Sequence, residues 1–232
     1  MIVGIYAEGR GDLAVITNIL KGALGIDRSD MSYRVPEFEL DQTDLSTMPV
    51  EQHSSWTVVK KVCEEKTLID TFFDSPIEQV SFIVIQIDTA ERHLEDYGVT
   101  EPVKTRDIDL KEYCSQLRSK VVDKINSWHD DLDGDKVTYA IAIEEIDAWV
   151  LTIYDKGNKD TSIYSNPKKA LNDQLNIILS KKEKGVLSAK AFDKYDWLSS
   201  PFKKKKILKA CMDKNESLKL FCKSLTAFKQ EE

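Results

Sequence analysis

The chain opens Ile2-Val3-Gly4-Ile5-Tyr6-Ala7-Glu8-Gly9-Arg10-Gly11-Asp12, six uncharged residues followed by a turn in which charges alternate with glycines. The apolar run reads as a strand. Glycines at 9 and 11 let the backbone turn tightly and approach a ligand. Leu13, Ile16, Ile19, Leu20 and Leu24 then recur at helical spacing, so a helix is expected over Asp12–Leu24. The pattern returns twice. Phe82-Ile83-Val84-Ile85-Gln86-Ile87 ends in Asp88-Thr89-Ala90-Glu91, and Val137–Ile143 ends in Glu144-Glu145. Strands that each lead into a helix define an α/β core with a mostly parallel sheet flanked by helices. Ligands in open α/β sheets collect at the carboxyl ends of the strands. Carboxylates gathered there repel one another unless a cation lies between them. The expectation is a divalent-metal centre.

Outward from these strands the reading is mostly helical. Residues 26–50 are polar and broken by proline, and suggest no element. Trp56–Phe73 reads as one helix, with Val59, Val62 and Cys63 facing inward. The near-continuous β-branched run over Val80–Ile87 suits a strand covered on both faces. Asp107–Trp128 carries Leu110, Cys114, Leu117, Val121 and Ile125 on one stripe. The acidic turn at 130–135 lacks the glutamate a calcium loop needs at its twelfth position. Glu144–Tyr154 should be a short helix, and Pro167 suits the first turn of another that runs to about Ser180. Helical segments follow at 188–197, 203–213 and 216–228. The expected organisation is an α/β core over 1–160 and a lysine-rich helical extension over 161–232, packed on the core as a cap.

Charge is unevenly spread. Residues 1–180 hold 19 basic and 33 acidic side chains, and residues 181–232 hold 14 and 7. The body is therefore near −14 and the tail near +7. An acidic body repels a phosphate backbone, whereas the tail can hold one. Lys203–Lys206 is the densest basic run, and a solvated helix start is the plainer reading of it. Cys63, Cys114, Cys211 and Cys222 are widely spaced among apolar neighbours, which suits reduced, buried thiols better than zinc. Residues 1–20 contain Glu8, Arg10 and Asp12 where an export signal needs apolar residues, and no run approaches a membrane span. A cytosolic protein without a membrane partner is expected.

Among chemistry-bearing residues, Glu8 stands first, directly after a strand and beside two glycines. The turn is neither GxxxxGK[ST] nor GxGxxG, since Ala14 takes the place of the third glycine. A plain acidic turn with Asp12 as N-cap competes with the functional reading. Asp88 ends its strand, and Glu91 falls on the same side if a helical turn begins there. Glu144 and Glu145 precede a helix, where negative charge is favoured by about 0.3–1 kcal/mol without any ligand. His53, His93 and His129 form no spaced pair. His93 lies just past Glu91 in sequence, which makes it a candidate for proton transfer, while His129 reads as a surface residue beside acidic neighbours. No serine sits in a GxSxG elbow.

Taken in order, Tyr6-Ala7-Glu8-Gly9, Ile85-Gln86-Ile87-Asp88-Thr89, Ile143-Glu144-Glu145-Ile146-Asp147-Ala148-Trp149, Asn166-Pro167-Lys168-Lys169-Ala170-Leu171 and Lys190-Ala191-Phe192-Asp193-Lys194-Tyr195 resemble a known family. They look like the TOPRIM fold of topoisomerases, primases and OLD-type nucleases, and are most similar to small stand-alone TOPRIM-like proteins of the DUF4276 type. The resemblance implies a TOPRIM-like sheet. Glu8 would be general acid/base or metal ligand, and Asp88 would hold Mg²⁺ or Mn²⁺ against a phosphate. Glu91, Glu144 or Glu145 would complete the metal site, because the Asp-x-Asp pair is incomplete: its other member is either Gln86 or Ala90. Arg10, Lys168, Lys169, Lys194, Lys203 and Lys204 would contact nucleic-acid phosphates.

The function so implied is metal-dependent phosphodiester hydrolysis, a nuclease in a setting such as antiviral or mobile-element defence, with a partner ATPase or other protein in reserve. A second reading is a catalytically inactive TOPRIM-like module that binds a protein or nucleic acid. A third is an unrelated α/β enzyme, such as a phosphatase or nucleotide-binding protein. Carboxylates of Glu8, Asp88 and Glu144 or Glu145 drawn together would favour the first; carboxylates splayed apart or tied to cations would favour the second. Oligomeric state and the choice between DNA and RNA have no signature in the sequence.

Overall fold

β1 (Ile2–Tyr6) leads into α1 (Arg10–Leu24), and the chain returns through β2 (Met31–Val35) beside β1. Next come α2 (Trp56–Glu65), α3 (Thr67–Phe73), β3 (Ser81–Asp88), α4 (Leu110–Trp128) and β4 (Val137–Ala142). The helices α5 (Asp147–Tyr154), α6 (Pro167–Ile178), α7 (Ala191–Ser199), α8 (Lys205–Met212) and α9 (Glu216–Ser224) complete the order. This is a computed structural model, and it describes residues 1–35, 56–74, 81–102, 109–129, 132–157 and 159–229. The described sheet has the order β2-β1-β3-β4, and every pair is parallel. No helix among the described residues is long and apolar enough to cross a membrane.

Strand alternation sends side chains into two buried layers. Val3, Ile5, Ala7, Phe82, Val84, Ala140 and Ala142 face α1, α5 and the C-terminal helices. Tyr6, Ile83, Ile85, Ile87, Val137 and Ile141 face α2, α3 and α4. On β4 the first face carries only Thr138, Ala140 and Ala142, which leaves room for α9: Thr138 Oγ1 and Ser224 Oγ are hydrogen-bonded at 2.6 Å. Trp149 stacks on Phe221 and donates from Nε1 to Ser217 Oγ at 2.7 Å. Phe202, Leu208, Phe221 and Leu225 lie in the same apolar layer as Leu13, Ile16 and Leu20 of α1. All four cysteines are buried and unbridged.

Several elements differ from the sequence reading. β2 falls in a stretch read as featureless. Its Ser32 and Arg34 alternate with Met31, Tyr33 and Val35, as on a half-covered strand paired on one side. The expected helix over Trp56–Phe73 is two, broken at Lys66, whose φ is +59°. α1 begins at Arg10 with Gly9 as N-cap, so Asp12 is a first-turn residue and not the cap. The helix expected from Glu144 starts at Asp147, since Glu144 has φ +62° and turns the chain. His129 is buried, not at the surface. Residue 107, His53 and Asp130-Asp131 lie outside the described residues. Pro167 opens α6 as expected, with Asn166 Oδ1 accepting from the Lys169 amide at 2.9 Å.

Candidate active site at the carboxyl edge of the sheet

From β1 the sheet grows in opposite directions, to β2 on one side and to β3 and β4 on the other. In a doubly wound sheet this reversal opens a crevice beyond the strand ends. Glu8 and Asp88 stand there, at the ends of the neighbouring strands β1 and β3. Glu8 Oε1 accepts a hydrogen bond from the Asp88 amide at 2.7 Å. Gln86 is fully buried and ties the two ends together. Its Oε1 accepts from the Glu8 amide at 3.0 Å, and its Nε2 donates to Asp88 Oδ1 at 2.8 Å. Asp88 Oδ2 also accepts from the Ile146 amide at 3.2 Å, just before α5. Gln86 and Asp88, two apart on β3, point to the α1 face. A neutral amide therefore stands beside Asp88 on this face, two residues before it on β3.

Two further carboxylates join them. Asp12 comes from the first turn of α1 and Asp147 from the first residue of α5. Burial pushes the carboxyl of Asp12 up to about 7, with the charge of Asp147 adding to the rise and backbone amides at Asp12 and Gly9 and the ammonium of Lys168 opposing it. Asp88 is held well above the carboxylate range by burial and then by Asp12, Glu8 and Asp147. Glu8 is likewise raised, by burial first, then by Asp12 and Glu91, against the stabilising Asp88 amide. Asp147 rises through burial too, although the Tyr195 hydroxyl donates to its Oδ1 at 2.6 Å. Tyr195 can reach it because Gly11 has no side chain: a Cβ there would stand 2.9 Å from the Tyr195 ring. None of the four carboxylates makes an ion pair with a described residue.

The other sequence candidates are distributed around this group. Glu91 is exposed and acts on Glu8 through its charge alone. Glu144 turns away: its Oε1 pairs with Arg92 at 2.9 Å, and Arg92 also holds Glu101 and the Thr89 carbonyl. Glu145 Oε2 accepts from the Lys168 amide at 3.3 Å, at the start of α6. Lys168 and Lys194 lie near enough to Asp147 to oppose its rise. Arg10 opens α1 at the same edge. The side chain of Lys169 is exposed on α6, while Lys203 and Lys204 precede α8 at the other end of α1.

In the sequence reading Asp12 entered only as an N-cap and Gln86 only as a candidate member of the incomplete pair, while Asp147 and Tyr195 had no assigned role. For Gln86 the two-residue spacing to Asp88 was the available signal. Asp147 and Tyr195 are 48 apart in sequence and carry no local signal of their meeting.

The fold and this edge define a parallel α/β protein with an acidic crevice at the strand-order reversal. Comparison of the chain with protein-family models, curated proteins and solved structures finds no match.

Among the described residues no three His, Cys, Asp or Glu side chains are placed to hold one ion together. The donor chemistry nonetheless suits a hard divalent cation, which takes carboxylate oxygens. Glu8, Asp12, Asp88 and Asp147, each raised first by burial and without an ion pair among the described residues, are such a set.

Proposed function

We propose that the carboxyl edge of the sheet binds Mg²⁺ or Mn²⁺ and carries TOPRIM-like phosphodiester chemistry on nucleic acid in the cytosol, as a nuclease of mobile-element defence. The observation that carries this reading is the gathering of Glu8, Asp12, Asp88 and Asp147 at the carboxyl ends of β1 and β3 and the starts of α1 and α5, where Glu8 Oε1 accepts from the Asp88 amide at 2.7 Å and burial raises all four carboxyls. Glu8 and Asp88 would hold the ion, with Asp12 and Asp147 supplying further charge. A bound ion would polarise a phosphoryl oxygen and offset its developing charge. Glu8, whose pKa burial raises above the ordinary carboxylate range, is suited to manage a proton at the leaving oxygen. Lys168 and Lys194 supply the positive charge beside Asp147 that a phosphate approaching an acidic edge requires.

A second reading, a module without catalysis that binds a partner, is favoured by Gln86. Its amide already occupies Asp88 Oδ1, and Asp88 Oδ2 holds the turn before α5, so Asp88 serves the fold.

Calorimetry with Mg²⁺ and Mn²⁺ separates the two. The first reading expects binding that releases protons, since the raised carboxylates must ionise, and that strengthens from about pH 6 to about pH 8. Glu8→Gln and Asp88→Asn should each abolish it, and Gln86→Asp should tighten it by completing the pair. Wild type that stays silent at millimolar metal, with Gln86→Asp alone gaining affinity, supports the second reading.

A further inference from the structure

A concave surface of about 810 Å³ lies at the amino edge of the sheet. Met1 before β1 and the end of α1 from Lys21 to Ile26 line it, together with Lys203, Lys205, Phe228 and Lys229 and a single carboxylate, Asp30. α1 starts beside Glu8 and ends here, and its 15 residues span about 22 Å. The basic run and the acidic crevice therefore lie at opposite ends of the same helix.

Four lysines reach this surface from different parts of the chain: Lys21 on α1, Lys203 before α8, Lys205 at its first turn and Lys229 after the last turn. Lys21 is neutralised by Asp27, with Nζ to Oδ1 at 2.6 Å, and Lys203 reaches Asp196 at 3.4 Å. Lys205 and Lys229 make no ion pair with a described residue. Lys204 and Lys206 stand exposed beside them.

Lys21 suits the negative end of α1, but helix stability does not explain the others. Lys204, Lys205 and Lys206 occupy the N-cap and first turn of α8, where the helix dipole disfavours cations, and no acidic residue balances them there.

We propose that this surface binds the phosphate backbone of a nucleic acid, independently of the carboxylate edge and of any divalent ion. Charge complementarity selects the occupant. The lysines rise from separate walls of a concavity, which suits a chain of phosphates better than the flat face of a membrane. Lysine–phosphate pairing of this kind carries no base preference and releases counterions.

The test is fluorescence anisotropy with a labelled oligothymidylate and its duplex with oligoadenylate, in EDTA, over a salt series. Wild type should bind one or both, with affinity falling steeply as salt rises. Lys203→Ala/Lys205→Ala should weaken binding about tenfold at low salt. It should also flatten the salt slope by about 0.7 for each single-strand phosphate that is no longer neutralised. Circular dichroism should show the same melting curve as wild type, because both side chains are exposed. Glu8→Gln and Asp88→Asn should bind as wild type does, which separates this surface from the proposed catalytic edge. Absence of binding in the wild type, unchanged binding in the lysine variant, or loss confined to the carboxylate variants would overturn the proposal. Binding of heparin but of neither nucleic acid would overturn it as well.

Discussion

Asp12 shows what the crevice does to one carboxyl group. Its pKa of about 7 in the fold stands above its ordinary 3.8, so the folded protein holds this proton more tightly than the unfolded chain. Stability from this source is complete below about pH 4 and is lost as pH rises through about 7, the reverse of a salt-bridged aspartate. Glu8, Asp88 and Asp147 shift in the same direction and add to the loss. Asp12→Asn keeps the shape and removes the charge. It should melt higher than wild type at about pH 8 and nearly with it below about pH 4, where Asp12 is protonated in both the folded and the unfolded chain. Thermal denaturation followed by circular dichroism at both pH values checks this, and a variant no more stable at the higher pH would show that the carboxylates are not strained. Added Mg²⁺ should narrow the difference if the ion occupies the crevice. At this scale the sequence placed Glu8 and Asp88 at strand ends, since each directly follows an apolar run. It did not reveal that Glu144 would pair with Arg92, because the pairing depends on a left-handed turn at a residue with no particular preference for one.

The helix α1 runs from the acidic edge to the lysine surface, and its packing depends on Gly22. A Cβ at that position would lie 1.9 Å from the Phe202 carbonyl oxygen, a backbone atom that cannot swing aside. Gly22→Ala gains about 1 kcal/mol of helix propensity. Overpacking costs about 1–3 kcal/mol and more where backbone must move. Packing should win, and the variant should melt below wild type. A neutral or higher melting temperature would mean that α1 and the Ser200–Lys203 turn do not approach this closely. The other elements divide along the same physical line. α1, β3, α4 and β4 were legible because their apolar periodicity is strong. β2 was not, since a five-residue strand with polar residues between its buried ends has no pattern distinct from a loop. The break at Lys66 was equally hidden, because the apolar positions on either side of it continue the helical spacing.

Over the whole molecule, one face of the sheet is closed by residues from the two ends of the chain. Phe202, Leu208, Phe221 and Leu225 are buried with α1 and with the α1-facing side chains of the strands. Each such side chain contributes about 2 kcal/mol when fully buried. The four together, about 8 kcal/mol, rival the whole stability of a typical domain. A chain ending at Lys190 should therefore show no cooperative melting transition and lose its near-ultraviolet dichroism. A sharp transition in the shortened chain would mark residues 191–232 as an independent appendage. The sequence by itself determined the α/β class, the parallel strands covered on both faces, the helical tail and the placing of Glu8 and Asp88 at strand ends. All of these follow from local periodicity and from where charge interrupts it. Only the tertiary structure decided which carboxylates meet, that Gln86 bridges them, and that the lysine run lies at the far end of α1. Those are meetings of residues distant in sequence, fixed by strand order and helix direction, on which local propensity has no hold.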